Sequence, residues 1–586
     1  MIKNIFNQLK YSYQNLMWHI KRKNNLEINA KLFYDEHYNF WPVKDEIVLY
    51  DIRDGYELDD SPFAILRYWL SSRPKMRHVI VTRIETKEKM VRILNQWHLN
   101  QNKNIILVDY YSTQHMKTLL TAKYVITNAM IFSDIFVKRS EQIFVNTWHG
   151  TPLKKMGYAM PGGVMGSWNV IRTLMMTDYL IMPNDYSAQI FRRDYRLDGL
   201  YTGKITLIGY PRNDVLVNRV SPYQANKVGA TTISAENIRT ILYAPTWSGD
   251  TTKITSSDEE LDKYLSVLDK ISKLQDTQIR FKPHPYFKEK IDEDIRFKPY
   301  RLNDAIGTNE VLSEVDILIT DYSSLFFDFL VTNNPIIFFD VKKNYAEERG
   351  EYLQVSSLPG PYTKDSDELV KLLENTQSWF EKYRKTYQQF KEKFVSLDDG
   401  HASKRVTREI SSILASKELP QRTIIVNGED FSDTSFSDTR LVNKLSKKYD
   451  VSMVAFESHL LDNWYGQIFF KHIDEVMPVS RIFINKNDIH HKNLTTELAY
   501  IDGKRITGGK IFDIMVIFQK KFSYHQKIIM ATTKTIIMTK NIKREMWITK
   551  LGFIKYFENE RFQVWQVQSE LFQIEIETIL KELELC

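Results

Sequence analysis

Cysteine is almost missing from this chain: of 586 residues only the last, Cys586, carries a thiol. A single thiol excludes an intrachain disulfide and a cysteine-built metal cage, and it suits a reducing, cytoplasmic setting. Apolar runs of about eighteen residues or more are also missing, so no segment reads as a membrane span. The first residues lack the uninterrupted apolar stretch of a signal peptide. Charge of one sign is scarce too. With 80 basic and 73 acidic residues the net charge is +7, too mild at this length to argue for nucleic acid, and it suits an anionic small molecule or surface. Acidic clusters resembling a metal cage are absent. Asp59-Asp60 is the only adjacent aspartate pair near the first lobe, and such a pair in a proline-containing loop is expected to be solvated, so neither an essential metal nor a cofactor is expected. Internal repeats and low-complexity tracts are likewise absent.

What is present describes a globular chain long enough for three domains, with 43% hydrophobic and 26% charged residues. At the amino terminus Ile2, Ile5, Phe6, Leu9, Tyr13, Leu16, Met17 and Ile20 recur at helical spacing. Lys3, Lys10, Lys21, Arg22 and Lys23 add charge, with no acid before Glu27. Residues 1–26 therefore read as a basic amphipathic helix. Its two expected settings are the interface of an anionic membrane and the protein's own core.

Apolar runs then alternate with helical patterns, the mark of parallel sheets. Expected strands are Glu46 to Tyr50, Val79 to Val81, Ile105 to Val108, Tyr124 to Ile126, Ile143 to Val145, Tyr179 to Met182 and Ile205 to Ile208. After a polar interval from about Asn218 to Asn237 come Thr240 to Tyr243, Ile279 to Phe281, Ile317 to Ile319 and Ile336 to Phe339. The fold class is α/β: two doubly wound, Rossmann-like lobes over residues 27–217 and 218–419. Beyond Leu419-Pro420 a lysine-rich, glycine-poor series indicates an additional carboxyl-terminal α/β domain, 420–586. Its expected strands are Thr423 to Val426, Val451 to Phe456, Arg481 to Ile484, Ile514 to Phe518 and Lys527 to Met530.

Five unusual clusters sit just past strands of the two lobes. They are Trp148-His149-Gly150-Thr151-Pro152-Leu153-Lys154-Lys155, Gly209-Tyr210-Pro211-Arg212-Asn213-Asp214, Tyr243-Ala244-Pro245-Thr246-Trp247, Lys282-Pro283-His284-Pro285 and Thr320-Asp321-Tyr322-Ser323-Ser324, the last leading into Leu325 to Asp328. Ligands of open α/β sheets bind outside the carboxyl ends of strands, so these clusters are expected to line one crevice between the lobes. Ser323 and Ser324 at a helix start offer hydroxyls and N–H groups to a phosphate; the plain alternative is a helix cap. Arg212 is a cationic fork suited to phosphate, or simply a loop charge. Pro283 and Pro285 stiffen the segment that carries Lys282 and His284. Asp328, four residues after Ser324, would accept from a sugar hydroxyl or complement the helix dipole.

Taken in order, the motifs WHGTPLKK, GYPRND, YAPTW, KPHP and TDYSSLFFD resemble the CDP-glycerol glycerophosphotransferase family, which includes teichoic acid primases and polymerases. The resemblance covers roughly Tyr124 to His401. It implies a fold of the GT-B type, a CDP-alditol donor and release of CMP. It also implies donor contacts at His149, Gly150, Thr151, Pro152, Leu153, Arg212, Pro245, Thr246, Lys282, Pro283, His284, Ser323, Ser324 and Asp328. Residues 421–586 match nothing in the family's pattern.

Phosphoryl transfer assigns the expected roles. His149 is the base on the acceptor hydroxyl; His284, with Lys282, Arg212, Ser323 and Ser324, holds the pyrophosphate and stabilises the leaving phosphate. The acceptor is expected to be a lipid-linked or polymeric polyol phosphate, used at the cytoplasmic face of the membrane by a peripheral enzyme. Glycerol and ribitol donors are both admitted. Two other readings stay open. One is a GT-B glycosyltransferase using a nucleotide sugar; the other is a scaffold whose carboxyl-terminal lysines, such as Lys520, Lys521 and Lys527, hold a partner.

Overall fold

The computed structural model describes residues 25–411, apart from short segments of which the longest are 161–169, 221–237, 247–257 and 341–349, and then the backbone of seven strands between Thr423 and Val567. The amino-terminal helix expected over residues 1–26 lies almost wholly outside the described residues.

The first sheet contains β1 (Lys44–Asp51), β2 (Arg77–Thr82), β3 (Ile105–Asp109), β4 (Ala122–Thr127), β5 (Ile143–Asn146), β6 (Tyr179–Met182) and β7 (Lys204–Leu207). All seven pair in parallel in the order β3-β2-β1-β4-β5-β6-β7. Around them run α1 (Leu26–Glu36), α2 (Asp60–Ser72), α3 (Lys87–Gln96), α4 (Thr113–Thr121) and α5 (Asp185–Asp194). A parallel sheet covered on both faces needs apolar side chains in both directions, and β1 supplies them. Leu49 faces a cluster with Tyr34, Val81 and Met116, while Val48 and Tyr50 face another with Trp69, Ile126 and Val145. Each fully buried aliphatic or aromatic side chain of this kind contributes about 1.5–3 kcal/mol.

The second sheet has the order β12-β11-β10-β8-β9, built from β8 (Arg239–Ala244), β9 (Thr277–Phe281), β10 (Ile317–Thr320), β11 (Ile336–Phe339) and β12 (Tyr362–Thr363). Its helices include α6 (Asp214–Asn218), which precedes β8, then α7 (Asp258–Ile271), α8 (Lys288–Glu293), α9 (Thr308–Leu312), α10 (Leu325–Phe329), α11 (Ser366–Glu374), α12 (Thr376–Phe394) and α13 (Ala402–Glu409). The last of these returns to the first lobe. Ala402, Val406 and Ile410 join the cluster of Val48, Tyr50 and Trp69, and the Trp69 indole donates to Thr407 at 2.6 Å.

Beyond Thr423 a third sheet comprises β13 (Thr423–Asn427), β14 (Asp450–Ala455), β15 (Glu475–Pro478), β16 (Ile514–Gln519), β17 (Thr535–Thr539), β18 (Phe553–Glu558) and β19 (Gln563–Val567). The order is β15-β14-β13-β16-β17-β19-β18, with β19 antiparallel to both neighbours. Strands expected at Arg481 to Ile484 and Lys527 to Met530 lie outside the described residues, as do Lys520, Lys521 and Lys527. No helix among the described residues is long and apolar enough to cross a membrane.

Candidate active site

The carboxyl ends of β1, β4 and β5 lie side by side, and the turns leaving them build one wall of a crevice. Strand β5 stops because the Asn146 side chain accepts the Trp148 N–H at 2.8 Å and Trp148 adopts a left-handed φ of +50°. Such a conformation is strained for a bulky residue and persists only when packing enforces it. Here Trp148 is buried edge-on against Phe191, with ring centroids 5.0 Å apart, and the His149 ring stacks on it at 4.3 Å. The Nδ1–H of His149 donates to the Asn128 carbonyl at 2.7 Å. A carbonyl only accepts, so this bond assigns the proton to Nδ1 and leaves the Nε2 lone pair open. Burial first, and then the nearby Arg53 guanidinium, push the imidazole down to about 4, so the ring is neutral at physiological pH.

Gly150 meets the second lobe directly. A Cβ at this position would lie 2.9 Å from the Ser324 hydroxyl, so a larger residue would turn that hydroxyl away from the histidine turn. Ser323 accepts the Leu325 N–H at 3.3 Å, and both serines are half-buried at the crevice. Thr151 and Pro152 are buried behind His149, with the Pro152 carbonyl accepting from the Tyr186 hydroxyl at 3.0 Å. Leu153, expected at the donor, packs instead into the apolar cluster of the second lobe with Leu318 and Phe326. An isobutyl group gains more from that core than from a polar crevice.

Arg212 also differs from expectation. Its guanidinium is 7% exposed and shared between two carboxylates, Asp60 of the first lobe at 3.1 Å and Asp328 of the second at 2.9 Å. The fork expected to hold phosphate is therefore clamped between the lobes, and the expected sugar-hydroxyl acceptor Asp328 is one half of that clamp. Asp60, expected to be solvated, is nearly buried: it accepts from Arg212, from the Asn128 side chain at 2.9 Å and from the Ser61 N–H at 2.6 Å. Desolvation would raise its pKa, but the Arg212 charge and these bonds outweigh it and hold the carboxyl below its ordinary value. One polar chain thus runs His149, Asn128, Asp60, Arg212, Asp328 across both lobes. Its neighbour Asp59 accepts the Thr308 N–H at 2.9 Å and so caps α9 from the opposite lobe.

On the second lobe, Thr246 follows Pro245 and is held by Asp321. That carboxylate accepts the Thr246 N–H at 2.8 Å and its hydroxyl at 2.9 Å, which ties the turn after β8 to the turn after β10. Lys282, followed by Pro283, sits past β9, where burial lowers its pKa and the charges of Asp59 and Glu57 oppose that shift. Its ammonium thus faces the first lobe. His284 lies outside the described residues. The structure therefore gathers His149, Gly150, Arg212, Thr246, Lys282, Ser323, Ser324 and Asp328 at one crevice. To these it adds Asp60, Asn128 and Asp321, which sequence reasoning left unassigned. The described residues contain no group of three or more His, Cys, Asp or Glu placed to hold a metal ion.

Comparison with known proteins agrees with this architecture. The chain is 28% identical over 424 residues to a teichoic acid poly(glycerol phosphate) polymerase of Staphylococcus epidermidis, a match covering 68% of this chain and 55% of that protein. It is 30% identical over 329 residues to a teichoic acid glycerol-phosphate transferase of Staphylococcus aureus, covering 53% of this chain and 82% of the relative. A solved structure of the wall teichoic acid polymerase TagF superposes with a TM-score of 0.53 at 26% identity, over 70% of this chain and 97% of that one. That fold similarity is the GT-B type expected from the motifs, and none of the family match reaches the third sheet. Residues 33–412 match the CDP-Glycerol:Poly(glycerophosphate) glycerophosphotransferase family, to which this chain belongs.

Proposed function

We propose that this chain transfers an alditol phosphate from a CDP-alditol to a hydroxyl of a lipid-linked or polymeric acceptor, releasing CMP, in synthesis of a teichoic acid or capsule-like polymer. The observation that carries the reading is the assigned tautomer of His149, whose open Nε2 belongs to the turn in which the next residue, Gly150, meets Ser324 of the second lobe. The acceptor O–H gives its proton to Nε2 while its oxygen forms a bond to the alditol-bearing phosphorus. The bond from that phosphorus to the bridging oxygen breaks, and CMP departs with the electron pair. The imidazolium formed in this step is stabilised by the nearby Asp60 charge, which favours the protonated ring. Lys282 neutralises charge on the pyrophosphate as the bond breaks, and Ser323 and Ser324 donate hydrogen bonds to it, with His284 following Lys282 in sequence as a further donor. Arg212 acts at one remove, by keeping Asp60 and Asp328 in register. TagF has also been solved after soaking with CDPG, which is consistent with a cytidine-linked donor in this scaffold. Residues 1–26, basic and amphipathic in sequence, would hold the enzyme at the cytoplasmic face of the membrane beside a lipid-linked acceptor.

The test is CMP release from CDP-glycerol and CDP-ribitol, with UDP-sugars as the control donors. His149→Asn should lower turnover about 10²- to 10⁴-fold, the usual contribution of a general base, with donor binding retained. Near wild-type CMP release by this variant, or turnover of UDP-sugars alone, would defeat the proposal.

A further inference from the structure

The turn leaving β1 is strained and braced, yet the chemistry above makes no use of it. Arg53, Asp54 and Gly55 have φ of +47°, +54° and +77°, three consecutive residues in the left-handed region. Two of them are non-glycine, for which this conformation is unfavourable and survives only when surroundings over-determine it. The surroundings do so. Arg83 Nε donates to the Asp54 carbonyl at 2.8 Å, the Thr86 hydroxyl donates to the Gly55 carbonyl at 2.8 Å, and the Tyr110 hydroxyl donates to the Asp54 carboxylate at 3.4 Å. A Cβ on Gly55 would lie 3.2 Å from the Thr82 backbone. What this bracing presents is the Arg53 side chain, 43% exposed, whose ion partner is the similarly exposed Glu57 at 3.4 Å. A surface pair of that kind is weak and easily exchanged for a stronger anion.

The position of Arg53 gives the brace a purpose. Strands β1, β4 and β5 are adjacent and parallel, so the residues just past their ends share one rim; these are Arg53, Asn128 and His149. With strands about 4.8 Å apart, Arg53 stands roughly 10 Å across that rim from the histidine turn. Its charge reaches His149, Asp60 and, across the crevice, Lys282. Glu57, Asp59 and Lys89 also act on Lys282, so cations from both lobes and two carboxylates share this neighbourhood.

We infer that Arg53 and its braced turn form an anion site on the first lobe that takes the phosphodiester adjoining the hydroxyl activated by His149. This rests on the phosphotransfer reading. In a polyol phosphate acceptor, the attacking hydroxyl and the nearest phosphodiester are separated by a single alditol unit, so a base and a cation on one rim read both ends of that unit. A guanidinium suits the task, since it grips two phosphate oxygens at once. Lys282 on the opposite lobe is left to the donor's pyrophosphate, which keeps the two phosphate groups apart. The site makes the enzyme prefer an acceptor already carrying an alditol phosphate over a neutral hydroxyl.

The test compares a lipid acceptor ending in one glycerol phosphate with the same lipid lacking it, using full-length protein. Arg53→Gln should raise KM for the phosphorylated acceptor about tenfold, the loss expected for one charge-assisted contact. KM for the bare lipid and for the CDP-alditol should move less than about twofold, and Arg53→Lys should recover part of the loss. Equal effects on both acceptors, or none, would overturn the inference. In a parallel calorimetric titration, a bis-glycerol phosphodiester should bind the wild-type chain and bind Arg53→Gln more weakly; equal heats would also overturn it. Absence of CMP release from any CDP-alditol would instead sink the phosphotransfer reading, and the titration would still decide whether the anion site exists.

Discussion

At the scale of single residues, the most consequential side chain is one whose sequence context looks ordinary. Asp60 receives Arg212, Asn128 and the Ser61 N–H, so its charge supports both the interlobe clamp and the residue that orients His149. Asp60→Asn should destabilise the protein by about 2 kcal/mol, the worth of one charge-assisted bond, because Arg212 loses one carboxylate and keeps Asp328. Urea unfolding measures that loss, and CMP release should fall with it. Little of this was legible in the sequence. Asp59-Asp60-Ser61-Pro62 has the local signature of a solvated helix start, and the residue that buries Asp60 lies 152 positions away. In sequence Arg212 is a phosphate fork or a loop charge for the same reason, since its second partner is 116 positions distant. His149 was readable because its signal is local: an apolar strand, an abrupt stop and a turn containing glycine.

At the scale of elements, the strands of both lobes were largely legible, because a strand buried on both faces must be apolar throughout, and Tyr179–Met182 and Ile336–Phe339 stand as such runs between polar segments. Strand β12, two residues long, leaves no pattern to read. Neither was the allegiance of α13 legible. By position it follows the second lobe, but Ala402, Val406 and Ile410 cover the first lobe's Val48 and Tyr50. This sets an expectation for truncations. A chain ending at Lys417 should fold and release CMP from a CDP-alditol. A chain ending at Gly400 should expose that apolar surface, lose the bond from Trp69 to Thr407 and aggregate or precipitate. Size-exclusion chromatography with the CMP assay separates the two outcomes. Equal behaviour would mean that α13 is dispensable.

At the scale of the whole molecule, buried titratable groups pull stability in opposite directions with pH. Burial pushes His115 down to about 3 and His78 down to about 4, both below the ordinary imidazole value. The unfolded chain therefore takes up these protons first as pH falls from about 6.5, and the contribution of both histidines to stability is lost on acidification. Asp398 and Glu310, raised mainly by burial to about 7, act the other way: the folded state holds their protons longer, so their contribution is lost as pH rises from about 4 to 7. A difference measurement isolates the first effect. His115→Gln should lose less Tm between pH 7 and pH 5 than the wild-type chain, and an equal loss would remove His115 from the account. The return of α13 has a mechanical consequence at this scale as well. The backbone passes from the first lobe to the second at α6, whose Val215 and Leu216 join the second lobe's core, and passes back before α13, so two chain crossings join the lobes. Those crossings add to the buried Arg212 clamp and the Asp59 cap, so the lobes are tied by covalent backbone as well as by charge. What the backbone holds in common is the meeting of Gly150 with Ser324, and through it the place of the histidine turn against the start of α10.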